Sequence, residues 1–290
     1  NFSFLDSMCW YKPLLKPLAF RFVAGETVSE ALKYGLKVQR SGLVPIFDIL
    51  GEGAQNRQDS VRVSGEYIHL LDEMKRNQLH GGISLKLTAF ALDEDEETCF
   101  RAVSRIIRHA QPMKVIVWLD MEGIGYPAKT LKMYRRLLEE FDNVGVCLQA
   151  YLKRTHKDIL SLLPDNPKIR LVKGAYVQPE NLAYTKHEDI NSHFKKLLTL
   201  LSENDVYTAI GTHDMDIITH ALSLAFPTHF EFQMLKGFRK YEKKLLSEHG
   251  YAVAEYIPFG KNWEKFIIRR IQERMRSLRW FVMTIVGMDK

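Results

Sequence analysis

The strongest constraint on this chain is a rhythm. Short apolar runs rich in Val, Ile, Leu and Phe alternate with longer stretches of helical periodicity. The runs fall at residues 44–50 (VPIFDIL), 83–87 (ISLKL), 114–121 (KVIVWLDM), 144–152 (VGVCLQAYL), 168–176 (KIRLVKGAY), 206–211, 230–235 (FEFQML) and 252–257 (AVAEYI). Helices are expected at 27–39, 59–79, 93–110, 127–141, 156–163, 189–201, 215–225, 240–249 and 262–277. Thr27 and Glu30 form a capping-box pattern at the first of these, and Pro127 suits a first helical position. A strand followed by a helix and then another strand returns in parallel, so strict alternation predicts a parallel sheet. Eight such units in 290 residues predict a closed α/β (βα)8 barrel, with an open doubly wound sheet as the alternative. Residues 1–26 stand outside the count and are expected to cap one end of a barrel spanning 27–290.

In such a barrel, chemistry collects where strands end and βα loops begin. The residues there are Asp48 and Glu52, Lys86 and Thr88, Asp120 and Glu122, Gln149, then Arg170, Lys173 and Tyr176. Thr212, His213 and Asp214, Gln233 and Tyr256 complete the set. Run 168–176 is typical. It carries two cations and then bares its backbone at Gly174 and Ala175. Unpaired buried charges cost several kcal/mol, so this many polar strand ends must pair with each other or with a ligand. Singly, each has a plainer reading. Lys86 would snorkel or pair with Asp120, His213 would be an ordinary hydrogen-bonded loop histidine, and Asp48 would cap a turn. The terminal helix places Arg269 and Arg270 beside an apolar stripe of Trp263, Phe266, Ile267, Ile271 and Met275. That pair is either an exposed one, with Arg269 bridging Glu273, or a fork aimed at a carboxylate or phosphate.

Composition narrows the function. The charge is +6 (41 basic minus 35 acidic residues), spread along the chain rather than massed on one element, so nucleic acid is not expected. Three unevenly spaced cysteines, Cys9, Cys99 and Cys147, predict a reducing compartment. The opening residues lack the pattern of a secretory signal, which makes a cytoplasmic location the expectation. The apolar stretch 278–288 (LRWFVMTIVGM) is well short of the roughly 18–20 residues that span a bilayer. No second His or Cys stands at metal-binding spacing beside Asp120 and Glu122. Neither GxGxxG nor a P-loop is present, although Gly260, Lys261 and Asn262 open a helix where a phosphate could sit. The residues alone predict a barrel enzyme for an anionic small molecule.

The strand-end strings together resemble the proline dehydrogenase family, in its short, single-activity bacterial form. They are RFVAGET (21–27), DILGE (48–52), SLKLTA (84–89), LDMEG (119–123), VGVCLQAYLKR (144–154), RLVKGAY (170–176), THD (212–214), FEFQML (230–235), YIPFG (256–260) and Trp263 with Arg269 and Arg270. The resemblance implies a distorted TIM-type barrel with its last helix over the mouth, and FAD bound without a Rossmann motif. It implies Arg170 beside flavin N5. Met121, Gln149 and the Lys173, Gly174 and Ala175 backbone would lie around the ring and ribityl chain, and Thr212 and His213 at the pyrophosphate and adenosine. Lys86, Arg269 and Arg270 would bind the proline carboxylate. Tyr256, Leu235 and Asp120 would complete the pocket, and Glu52 would gate it by pairing with Arg269. Asp120 and Arg170 are the expected catalytic residues, with Asp120 orienting Lys86 and Tyr256. The implied reaction is hydride transfer from L-proline to flavin N5, giving Δ1-pyrroline-5-carboxylate. Electrons would then pass to a quinone, with peripheral contact at the inner membrane. Phe266 stands where the family usually has a tyrosine, and Lys236 where it usually has an aromatic or histidine. Hydroxyproline or another cyclic amino acid therefore stays open as substrate. A Schiff-base aldolase using Lys86 or Lys173 stays open too, as does a flavin-binding or purely structural relative without turnover.

Overall fold

A computed structural model describes residues 16–17, 19–51, 53–54, 56–176, 178–224, 230–264 and 266–268. Its eight strands are β1 Val44–Ile49, β2 Gly82–Leu85, β3 Ile116–Leu119, β4 Val144–Gln149, β5 Lys168–Val172, β6 Tyr207–Gly211, β7 Phe230–Leu235 and β8 Ala252–Phe259. All pair in parallel with their sequence neighbours, and β8 closes on β1, with Ile46 opposite Tyr256. The predicted barrel is the observed one, and the open sheet is excluded.

Eight helices whose bounds fall among the described residues accompany the strands. They are α1 Val28–Arg40, α2 Arg57–Arg76, α3 Glu96–Ala110, α4 Pro127–Leu138, α5 Thr155–Leu162, α6 His187–Glu203, α7 Met215–Ser223 and α8 Lys240–Glu248. The α1 capping box forms as expected, with the Glu30 amide donating to Thr27 Oγ1. Each strand sends alternate residues outward to the helices. Phe47, Ile83, Leu85, Val117, Leu119, Val146, Leu148, Ile169, Leu171, Ile210, Phe232 and Ile257 thereby join one continuous core with the helices. The opposite alternation points inward, where Ile46, Trp118, Ala209 and Ala254 pack with Tyr207 and Tyr256. Gly145 makes room for the Trp118 ring, because a Cβ there would lie 2.5 Å from it.

Several strands end sooner than the apolar runs predict. Beyond β2 the chain tightens into a buried 3-10 turn, Leu87–Phe90, so Lys86 and Thr88 belong to a loop. β5 stops at Val172 because Gly174 takes φ +115°, and a side chain there would strike the Tyr151 ring. β8 runs two residues further than expected, through Pro258. Its carbonyl accepts from Ala24, and Gly260 donates to Gly25 O. The turn through Ala19 and Val23 thus lies against the C-terminal ends of β7 and β8. It shares an apolar cluster with Leu50, Trp263 and Ile267. Lys236, from the loop after β7, donates to Phe20 O and Arg21 O at 2.7 and 2.8 Å. Glu52, Arg269, Arg270, Cys9 and the stretch 278–288 lie outside the described residues, and with them the expected gate, fork and tail.

Candidate active site

The inward residues of β1, β2, β3, β5 and β8 meet in one charged network at the C-terminal mouth of the barrel. Lys86 Nζ sits 2.8 and 2.9 Å from the two oxygens of Asp48 and 3.6 Å from Asp120 Oδ2. Asp120 Oδ1 accepts from Ser84 Oγ at 2.7 Å and from Arg170 Nη1 at 2.8 Å, and its Oδ2 accepts from Tyr256 OH at 2.8 Å. Arg170 Nη1 also donates to Ser84 Oγ. The guanidinium is held between rings, 4.7 Å from the Trp118 centroid and 5.4 Å from Tyr256. Beneath, the buried Tyr67 hydroxyl donates to Ser84 O and accepts from the Ile49 amide, which fixes β1 to β2.

The charges set each other's protonation. Burial works against the Asp120 carboxylate. Lys86 and Arg170, helped by hydrogen bonds from Ser84 and Tyr256, still hold its carboxyl below the usual range. Burial also opposes the Lys86 ammonium, but Asp48, Tyr256 and Asp120 hold its pKa well above the ordinary lysine value. Burial and the carboxylates of Asp120 and Asp48 push the Tyr256 phenol well up, so it remains a hydrogen-bond donor. Arg170 is 3% exposed, yet its Nε and Nη2 have no partner, and neither has the buried carbonyl oxygen of Gln149. Buried donors and acceptors are rarely left so. Two free donors and one free acceptor suit a planar ring with hydrogen-bonding atoms of both kinds.

The β4 to β6 side of the mouth forms a second wall. Gln149 anchors its amide on Met121 O at 3.3 Å. Gly174 and Ala175 present half-buried backbone. Lys173 Nζ lies 2.5 Å from Asp214 Oδ2 and 3.0 Å from His187 Nε2. The Asp214 carboxyl, with burial opposed by Lys173 and Asn191, is lowered to about 2. Buried Thr212 accepts from the Asp214 amide. His213 Nε2 accepts from Leu235 N at 2.9 Å, and its ring stacks on Phe238. The sequence pattern puts Asp48, Lys86, Asp120, Arg170 and Tyr256 at the mouth, and the structure brings them into mutual contact. Asp48 is an ion-pair partner rather than a turn cap. Thr88 and Glu122 bond to each other and brace the loops after β2 and β3. Ser84 and Trp118 do not stand out in the sequence, because a serine and a tryptophan inside apolar runs look like ordinary strand residues. Their one signal is inward register with Lys86 and Asp120. Among the described residues no cluster of His, Cys, Asp or Glu is placed to hold a metal, and no helix is long and apolar enough to cross a membrane.

Comparison with known proteins identifies the family. The family model for proline dehydrogenase matches residues 31–277. Proline dehydrogenase 1 of Bacillus subtilis (strain 168) is 37% identical over 261 residues, covering 88% of this chain and 86% of that one. The proline dehydrogenase of Deinococcus radiodurans is 32% identical over 275 residues, covering 91% and 89%. Among solved structures, proline utilization A from Bdellovibrio bacteriovorus, inactivated by N-propargylglycine, superposes with a TM-score of 0.80 at 25% identity. The match covers 89% of this chain and 33% of that one, so this chain spans about a third of its length. A parallel eight-stranded barrel, a charged mouth and relatives matched almost end to end agree: this chain is an enzyme that belongs to the proline dehydrogenase family.

Proposed function

We propose that the protein oxidises L-proline to Δ1-pyrroline-5-carboxylate with FAD, by hydride transfer to flavin N5, and passes the electrons to a quinone during peripheral contact with the inner membrane. The observation that carries this reading is the buried Lys86, Asp120 and Arg170 network, with free Arg170 donors and a free Gln149 acceptor beside it. Bound FAD would supply a two-electron acceptor ring. Arg170, Gln149, Met121 and the Lys173, Gly174 and Ala175 backbone would hold that ring and its chain, with Thr212 and His213 towards the far end. Gly174 supports close approach, since its backbone conformation excludes a side chain.

The chain's own residues then bind and orient. Lys86, with Arg269 and Arg270, takes the substrate carboxylate, while Leu235, Tyr256 and Glu52 bound the pocket. The reacting nitrogen must be neutral, because its lone pair drives loss of the hydride. Asp120 is not the base for this. Its two oxygens already accept from Ser84, Arg170 and Tyr256, so it positions those groups. The Lys86–Asp48 ion pair argues against an aldolase acting through Lys86, because a Schiff base needs a neutral amine and Asp48 keeps Lys86 an ammonium. Fixing the carboxylate aims the ring carbon, and such placement is worth several kcal/mol of barrier. Residues 1–26 are proposed as the cap of the barrel in 27–290. Half-buried Phe266, lacking a hydroxyl, keeps hydroxyproline as the second substrate reading. The test is spectroscopic. The purified protein should be yellow and bleach anaerobically with L-proline; a colourless protein, or flavin that stays oxidised, refutes the proposal.

A further inference from the structure

One buried acid in the barrel takes no part in the network above. Arg170, Ala209, Glu231 and Ala252 form one register row across β5, β6, β7 and β8. Neighbouring strands lie about 4.8 Å apart, and only the Ala209 methyl stands between the Arg170 and Glu231 strands in that row. The Glu231 carboxyl is buried and accepts a 2.5 Å hydrogen bond from the Gln233 side-chain amide. Arg170 acts on it through space, and Tyr207 from β6 also feels it. Across the barrel, Asp48 and Asp120 are engaged with Lys86, and Asp120 with Arg170. These two acids and two cations balance, which leaves Glu231 as the odd charge.

We propose that Glu231 is a positioning residue for the oxidation proposed above. As a neutral acid it keeps the two acids and two cations in balance and leaves the free N–H groups of Arg170 available to the site. As a carboxylate it would add an unbalanced negative charge to that network. The inference rests on the flavin-dependent reading, because an unbalanced negative charge works most against a ring that becomes electron-rich on reduction. Burial supports it by pushing the Glu231 carboxyl above the usual glutamate range, against the Gln233 hydrogen bond and Arg170. Gln233 fits the same role, as its carbonyl oxygen is buried without a partner and its amide is committed to Glu231.

Two measurements test this on the purified protein. Infrared difference spectra between wild type and Glu231→Gln, taken just above the ordinary glutamate range, should show the carbonyl stretch of one protonated carboxyl, lost in the variant. A missing band overturns the proposal whether or not flavin is bound. The reduction potential of the bound flavin should fall more steeply with rising pH in wild type than in Glu231→Gln, and equal slopes overturn it. Gln233→Met removes the bond that favours the carboxylate and should move the extra fall to higher pH; an unmoved profile counts against the pairing. A preparation without flavin refutes the oxidation reading separately, and the infrared band then decides the state of Glu231.

Discussion

Two buried ionic clusters flank β8, and neighbouring residues of that strand feed one each. Tyr256 points into the barrel and joins Asp48, Lys86, Asp120 and Arg170. Glu255 points outward, where it pairs with Lys243 of α8 and accepts from the Tyr34 hydroxyl of α1 at 2.5 Å. Burial pushes the Lys243 ammonium below its usual range against the pull of Glu255, and pushes Lys236, over the Tyr34 ring, down to about 8. The ingredients match, but the outer cluster closes on itself: acid, amine and phenol each find a protein partner. The inner cluster leaves two guanidinium donors free. A buried ion pair is weak evidence for stability in either place, so the useful distinction is what remains unsatisfied. Closed networks hold helices on the barrel, and open ones mark where a ligand completes the structure.

The largest effect should come from breaking the closed cluster. Lys243→Met strands a buried carboxylate and should cost about 3–5 kcal/mol in urea unfolding, whereas adding Glu255→Leu should recover most of it. Bleaching by L-proline should survive in that double variant. Recovery of stability without retained bleaching would blur the comparison. Opening the inner cluster should do the reverse. Arg170→Lys keeps the charge and loses the planar fork, so kcat should drop on the order of 10²-fold, the scale for removing one preorganised donor, with a smaller change in Tm.

Tyr256→Phe removes one neutral donor to the Asp120 carboxylate and should cost about 1–2 kcal/mol of stability, read from denaturant midpoints. The smallest effects are in pH. The Asp214 carboxyl is lowered to about 2 by Lys173 and Asn191, against burial. It therefore adds stability above its unfolded pKa near 3.8, lost as pH falls towards about 2. Lys173→Met should flatten that acid limb. Glu231 has the opposite sign. Its raised carboxyl adds stability at low pH, lost as pH rises through the folded value, so Glu231→Gln should flatten the curve above the ordinary glutamate range. Thermal midpoints across pH check both.

The barrel is legible in the sequence because each strand's inward and outward alternation is written locally. So is the set of polar strand ends, since a charge in an apolar run is conspicuous. Partnership is not legible. Spacing pairs Lys86 with Asp120, whereas its nearest partner is Asp48, 38 positions back and brought alongside only by β1 and β2 pairing. Strand ends are hidden where backbone decides them. A φ of +115° at Gly174 ends β5, yet the letters on either side read as continued strand. Glu231 and Ser84 show the converse, because register gives them a role their own types do not announce.

The turn from Ala19 to Gly25 has a consequence for biosynthesis. Its anchors, Pro258 O, the Gly260 amide, Lys236 and Trp263, all lie more than 200 positions later. A ribosome makes the turn well before its docking surface. Phe20 and Phe22 must therefore stay uncovered while the intervening strands emerge, the interval in which exposed apolar segments aggregate. The β1 to β8 seam waits equally long. Loop closure over such a separation is slow, so a holdase chaperone should raise the yield of this chain more than that of one whose contacts are local.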